Sequence, residues 1–159
     1  MVTELEETKA IVSAPVRKVF LAVPREHFVP EVAANDGLEA VYRAEAALVT
    51  ATDRRGMPIS SSSAPSIMAP MLEALDVEPG DRVLEVGAGT GYNAALLAGL
   101  VGPSGRVTAV DVDPAMARRA RGALRRWGAP VRVVTGDGRD GWPARAPFDG
   151  IIVTASAPE

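Results

Sequence analysis

The chain has no cysteine and a single histidine, His27. A disulfide framework, a zinc cluster and a thiol nucleophile are therefore excluded. Aromatic residues make up only 4% of its 159 residues, while hydrophobic residues reach 47%, so Val, Leu, Ala and Ile must build the core. Neither sign of charge dominates, with 17 Lys and Arg against 20 Asp and Glu. A net charge of −3 gives no electrostatic case for nucleic acid as the main partner. No apolar run nears the ~18 residues of a membrane span. The acidic start, Thr3-Glu4-Leu5-Glu6-Glu7, is unlike a signal peptide. Lysine occurs only at positions 9 and 18, an arginine bias that fits a GC-rich bacterial genome. The expectation is one soluble, cytoplasmic domain with at most a small N-terminal addition.

What is present centres on Val83-Leu84-Glu85-Val86-Gly87-Ala88-Gly89-Thr90-Gly91-Tyr92. Pro79-Gly80 signals a turn, Arg82 to Val86 reads as a buried strand, and Asn93 to Leu100 reads as a helix. The three glycines permit a sharp turn and close approach of a ligand to bare main chain. The first N–H groups of the helix are expected to point back into that turn, where they can bind a polar or anionic group. The spacing is G-x-G-x-G, not the G-x-G-x-x-G of the dinucleotide fingerprint, and Glu85 is acidic where such a strand ends apolar.

Around this stretch the chain reads as follows. Residues 1–12 are polar and expected to be frayed or loosely helical. Ser13-Ala14-Pro15 starts a helix with Val16, Val19, Phe20 and Val23 on one face, stopped by Pro24. His27 lies in a turn with apolar anchors and reads as structural. Residues 31–58 lack strong periodicity, with Ala40 to Thr50 left open between helix and strand, and Asp53 to Gly56 reads as an exposed turn. Ser60-Ser61-Ser62-Ser63 precedes Pro65 and an apolar helix, which favours a capped helix start over a flexible linker. Pro70 should kink that helix.

From Asp81 the pattern alternates. Strands are predicted at 82–86, 106–111, 131–135 and 148–153, helices at about 91–101 and 114–127, and an irregular crossover at 138–147. This predicts an α/β fold, a parallel sheet with helices on both faces. Ala117, Ala120, Leu124 and Trp127 form the predicted inner stripe of the second helix. Arg118, Arg119, Arg121, Arg125 and Arg126 are expected outside it as a solvated face. Ligands of such sheets sit at the carboxyl ends of the strands. Asp111 ends one strand and suits a ribose diol, since a carboxylate accepts two hydroxyl hydrogen bonds. Asp113 is better placed to cap the next helix. Asp137 in Thr135-Gly136-Asp137-Gly138 could accept from an adenine amino group, although a plain turn is the better reading of that motif taken alone. Thr154-Ala155-Ser156-Ala157-Pro158 ends the last strand, near the expected substrate position.

Leu-Glu-Val-Gly-x-Gly-x-Gly resembles motif I of class I S-adenosylmethionine (SAM)-dependent methyltransferases. The likeness narrows further along the chain. Val23-Pro24-Arg25-Glu26-His27-Phe28-Val29-Pro30, Ser63-Ala64-Pro65 and Gly80-Asp81-Arg82-Val83-Leu84-Glu85 resemble, in order, segments of the protein-L-isoaspartate O-methyltransferases. So do Gly136-Asp137-Gly138 with Gly141-Trp142-Pro143, and Phe148-Asp149-Gly150-Ile151-Ile152-Val153-Thr154-Ala155. The resemblance spans roughly residues 14–159. It implies a Rossmann-like class I methyltransferase fold, with residues 1–80 as an N-terminal helical segment and substrate loop and 81–159 as the SAM-binding core. It implies methyl transfer from SAM to isoaspartyl residues of a protein or peptide. The implied cofactor-binding residues are Glu85, Gly87, Ala88, Gly89, Thr90, Gly91, Asp111, Val112, Asp137, Gly138 and Thr154. Ser63, or Ser62 one position earlier, is the implied hydroxyl that orients the acceptor.

Two departures qualify the resemblance. The four-serine segment, with Gly91-Tyr92-Asn93-Ala94-Ala95-Leu96-Leu97-Ala98, is similar to an actinobacterial branch that methylates an Asp side chain of a ribosomal precursor peptide, leading to aspartimide. The family also continues past Ala157-Pro158-Glu159 with further strands. The expectation is therefore a sheet lacking C-terminal strands, with an apolar edge at Ile151, Ile152 and Val153: either the chain is truncated, or a second copy or another chain completes the sheet. Other readings are a shortened, non-catalytic SAM- or peptide-binding module and an NAD-dependent oxidoreductase. The glycine spacing and Glu85 oppose the oxidoreductase. A nucleic-acid methyltransferase would need a basic surface and an N-P-P-Y-like or cysteine motif, and neither occurs.

Overall fold

The computed structural model describes residues 1–155. The chain divides into two compact units, Met1–Ala74 and the residues from Leu75 onward.

The first unit opens with helix α1, Val2–Glu7. Of the two states expected for residues 1–12, frayed or loosely helical, the helical one is found over Val2–Glu7, where Leu5 is fully buried and its carbonyl accepts the amide of Ile11, itself buried, at 3.0 Å. Helix α2, Ala14–Ala22, starts where the Ser13 hydroxyl accepts the amide of Val16 at 3.3 Å, and it buries Val16, Val19 and Phe20. Glu73 Oε1 accepts the amides of Val12 and Ser13 at 2.8 and 2.9 Å. A short 3₁₀ turn, Arg25–His27, leads to α3, Pro30–Val41. The segment left open by periodicity holds the end of α3 and strand β1, Leu48–Thr52. β1 pairs antiparallel with β2, Pro58–Ser62, across a turn in which the Asp53 carboxylate accepts the amides of Arg55 and Met57, both at 2.8 Å. Ser60, Ser61 and Ser62 are thus strand residues rather than a linker. Helix α4, Pro65–Leu75, follows, and its Pro70 sits on the exposed side, where water can serve the carbonyl left without its helical partner.

Arg25 is the hub of this unit. Its side chain is completely buried, and its guanidinium donates to the carbonyls of Val41 (2.9 Å), Ala46 (3.3 Å) and Ser63 (2.9 Å). One side chain therefore joins the end of α3, the turn before β1 and the serine segment. The Tyr42 hydroxyl accepts the Arg25 amide and donates to the Glu26 carboxylate in a short hydrogen bond. Burial, reinforced by Glu26, pushes the Tyr42 hydroxyl up to about 12. His27 packs edge-on against Phe28, with ring centroids 5.1 Å apart.

The second unit is a four-stranded parallel sheet of β3 (Arg82–Val86), β4 (Arg106–Asp111), β5 (Val131–Thr135) and β6 (Gly150–Val153), in the order β5-β4-β3-β6. Helices α5 (Tyr92–Val101) and α6 (Pro114–Trp127) pack on β3, β4 and β5. Successive strand residues face opposite sides. Glu85 meets Asn93 of α5, whereas Leu84 packs with Val110, Val134, Val86, Trp142 and Phe148. The crossover from β5 to β6 contains two 3₁₀ turns, Gly138–Asp140 and Pro143–Arg145. Asp113 caps α6 by accepting the amide of Ala115 at 2.7 Å. The inner stripe of α6 comprises Ala117, Ala120, Ala123 and Leu124. Trp127 is 40% exposed, contrary to the pattern, because it is the last helical residue before Gly128 turns the chain. Arg121 also departs from the solvated face and donates to the Val133 carbonyl at 3.1 Å.

Replacing Arg25 leaves buried carbonyls without donors. Arg25→Met is expected to cost about 3 kcal/mol, read as a lower midpoint in urea unfolding followed by circular dichroism.

Candidate functional site

The site forms where β3 ends. The backbone turns through Gly87 (φ +102°), Gly89 (φ +50°) and Gly91 (φ +88°) before entering α5. Gly87 is required on two grounds. Its φ is left-handed, and a Cβ there would lie 2.8 Å from the Cβ of Ala155 and 3.0 Å from the Thr154 hydroxyl. Gly89 is the opposite case, since a Cβ there would meet nothing within 4 Å. The turn is packed at its root and open at its crest.

The neighbouring strands hold it. The amides of Gly87 and Ala88 donate to the Val110 carbonyl at 2.8 and 3.2 Å, and the amide of Gly89 donates to Asp111 Oδ2 at 2.9 Å. Asp111 Oδ1 accepts the amide of Asp113 at 3.0 Å, so one carboxylate joins the glycine turn to the turn before α6. Each of its oxygens keeps acceptor capacity for a ligand. Val112, beside it, is 74% exposed. From β6, Thr154 donates its amide to Val86 and its hydroxyl to the Gly87 carbonyl, both at 2.8 Å. The first turn of α5 is not wholly free to face a ligand, because the Thr90 hydroxyl accepts the amide of Tyr92 at 3.3 Å.

Glu85 lies beneath the turn and is completely buried. Its Oε1 accepts Asn93 Nδ2 at 2.9 Å. Its Oε2, and Asn93 Oδ1, have no hydrogen-bond partner. Burial pushes this carboxyl up to about 8; the bond from Asn93 pulls it down and the negative charge of Asp111 pushes it further up. Glu85 is thus a carboxyl under the turn, not one lining its surface.

Asp137 follows β5 and caps the 3₁₀ turn after it, accepting the amide of Arg139 at 3.0 Å. The Arg139 guanidinium pairs with it at 2.5 Å and holds its carboxyl at about 2. Gly138 packs against the end of β3, where a Cβ would come 2.2 Å from Val86 Cγ1. The structure therefore gathers Glu85, the glycine turn, Asp111, Gly138 and Thr154 at the carboxyl ends of the four strands. Ser62 and Ser63 belong to the other unit. Ser62 is buried at the end of β2, and Ser63 gives its carbonyl to Arg25. Ser156, Ala157 and Pro158 lie outside the described residues.

Sequence reasoning missed Asn93, whose one signal was a polar residue at the start of an otherwise apolar helix. It also missed Arg139 as the partner of Asp137. Among the described residues no group of three or more His, Asp or Glu side chains could hold a metal ion, and no helix is long and apolar enough to cross a membrane.

Comparison with known proteins bears on this site. The family described as protein-L-isoaspartate(D-aspartate) O-methyltransferase matches residues 1–159. A protein-L-isoaspartate O-methyltransferase of Methanopyrus kandleri is 44% identical over 100% of this chain and 66% of its own length. One from Aeropyrum pernix is 41% identical over 100% of this chain and 58% of its own length. The chain spans 58 to 66% of the length of the first curated relatives it matches. A solved protein-L-isoaspartate O-methyltransferase superposes with a TM-score of 0.84 at 37% identity, covering 96% of this chain and 46% of that one.

The Glu85 carboxyl carries a pH signature. Unfolding returns it to its ordinary pKa of about 4.3, so the folded chain binds the extra proton from there up to about 8. Its contribution to stability is greatest below this interval and is lost as pH rises through it. Between about pH 5 and 8, the melting temperature of the wild type is expected to fall relative to that of Glu85→Gln. Parallel profiles would contradict the assignment.

Proposed function

We propose, since the chain belongs to the protein-L-isoaspartate(D-aspartate) O-methyltransferase family, that it acts as a SAM-dependent carboxyl O-methyltransferase on L-isoaspartyl residues of proteins or peptides. The observation that carries this reading is the family match over residues 1–159 together with an intact glycine turn whose crest, at Gly89, is open.

The residues present fit the cofactor. The space at Gly89 admits a ligand against the main chain. Asp111 suits a ribose diol, and exposed Val112 offers an apolar surface to a base. Asp137 and Gly138 are assigned to the adenine side, with Arg139 orienting the Asp137 carboxylate. Gly87, Ala88, Thr90, Gly91 and Thr154 shape the turn, and Glu85 supplies negative charge beneath it when ionised. SAM, when bound, supplies an electrophilic methyl group.

The acceptor needs little from the protein. A carboxylate with a pKa near ~3.9 is already ionised at neutral pH, so no general base is required. What remains is to hold its oxygen in line and exclude water. We assign acceptor orientation to the Ser63 hydroxyl, with Ser62 as the neighbouring candidate. A cytoplasmic setting belongs to the same proposal. So does a strand from a second chain at the edge of β6, where Ile151 and Val153 are 57% and 54% exposed.

The test is methyl transfer from labelled SAM to an isoaspartyl peptide and to its ordinary aspartyl counterpart. Turnover is expected on the isoaspartyl peptide. Ser63→Ala is expected to lower kcat/KM about 10- to 100-fold with SAM affinity unchanged. Transfer only to the aspartyl peptide, or no SAM binding, would contradict the reading.

A further inference from the structure

Glu85 and Asn93 form a pair with one hydrogen bond made and two acceptors left over. Asn93 Nδ2 donates to Glu85 Oε1 at 2.9 Å, while Glu85 Oε2 and Asn93 Oδ1 are both buried without a partner. A buried acceptor without a donor is costly, and a completely buried carboxylate with one oxygen bare is costlier. One proton on Oε2 removes the buried charge and turns that oxygen into a donor. The acid form carries an O–H donor, and a carboxylic acid can meet a carboxamide through two antiparallel hydrogen bonds. The N–H arm of that arrangement is in place, and the two bare oxygens are the atoms its other arm would join.

The charges around the pair favour the same state. On its own strand, β3, the other charged residue is Arg82 at the far end. β4 carries Arg106 at its start and Asp111 at its end. α5 contributes the phenol of Tyr92 and no acid or cation, and β6 contributes no titratable group. Beyond β5 stand Asp137, paired with Arg139, and Asp140. Of these, Asp111 acts on Glu85, and its negative charge opposes ionisation.

We propose that Glu85 is a carboxylic acid paired with Asn93 in the ligand-free protein, and that a cationic ligand group seated at the glycine turn drives its proton into solvent. Binding then exchanges a proton for a cation. This rests on the cofactor reading above, because SAM carries a sulfonium and an ammonium group. The O–H bond of Glu85 breaks, buffer takes the proton, and the carboxylate faces the ligand's positive charge. Glu85 is completely buried, so the cation acts through its field rather than by contact. An opposite charge within several ångströms lowers a carboxyl pKa by about 1–3 units. That is sufficient to ionise a group pushed up to about 8.

Calorimetry of SAM binding to the full chain near pH 7, in phosphate and in Tris, counts the protons exchanged. The wild type is expected to release roughly 0.4–0.9 proton more per bound SAM than Glu85→Gln. Equal counts for the two overturn the exchange alone. Absence of SAM binding overturns it together with the cofactor reading. The wild type also permits a test without ligand, since carbon NMR of the Glu85 carboxyl should titrate near pH 8. A midpoint in the ordinary range near ~4.3 overturns the proposal whether or not the variant folds.

Discussion

The hydrogen bond from the Gly89 amide to the Asp111 carboxylate is the contact on which the site depends. It is made between the ends of two parallel strands and fixes the crest of the turn at Gly89, which has no side chain to hold it. The same carboxylate also takes the amide of Asp113, so the entrance to α6 and the entrance to α5 are set by one group. Thr154 closes the turn from the other side, at the Gly87 carbonyl. Parallel strands end side by side, and the sheet converts that register into a clustered site.

The division of labour between the units follows from their chemistry. In the second unit the polar groups belong to strand ends and their turns, while the sheet interior is Val, Leu, Ala and Ile with Glu85 and Thr108 as buried polar residues. In the first unit the organising group is a buried guanidinium that serves three carbonyls. Ser63 supplies one of those carbonyls, so its backbone is fixed.

Much of the second unit was legible in the sequence because strand and helix periodicities alternate cleanly from Asp81, and the strands and helices fall close to their predicted bounds. The glycine turn was legible for the same reason: three glycines between a strand and a helix have few other uses. Long-range choices were not legible. The helix over Val2–Glu7 depends on a burial site for Leu5 that no local pattern announces. Trp127 fits the α6 stripe by spacing yet sits at the helix end, where the stripe has nothing left to cover. The orientation of Arg25 toward Ser63 spans 38 residues of chain. Glu85 was identified as the significant acid, but its burial and its pairing with Asn93 depend on how α5 lies on the sheet. The G-D-G motif marks Asp137 as a candidate ligand group, and its engagement by Arg139 needs the 3₁₀ turn that the motif only suggests.

The central claim is that SAM is held at the glycine turn and at the end of β4. Amide NMR of the full chain during a SAM titration tests it most directly. With SAM bound there, the largest shifts are expected on Gly87 to Gly91 and on Asp111 and Val112. Saturating SAM with those amides unmoved, or no shifts at all, would contradict it.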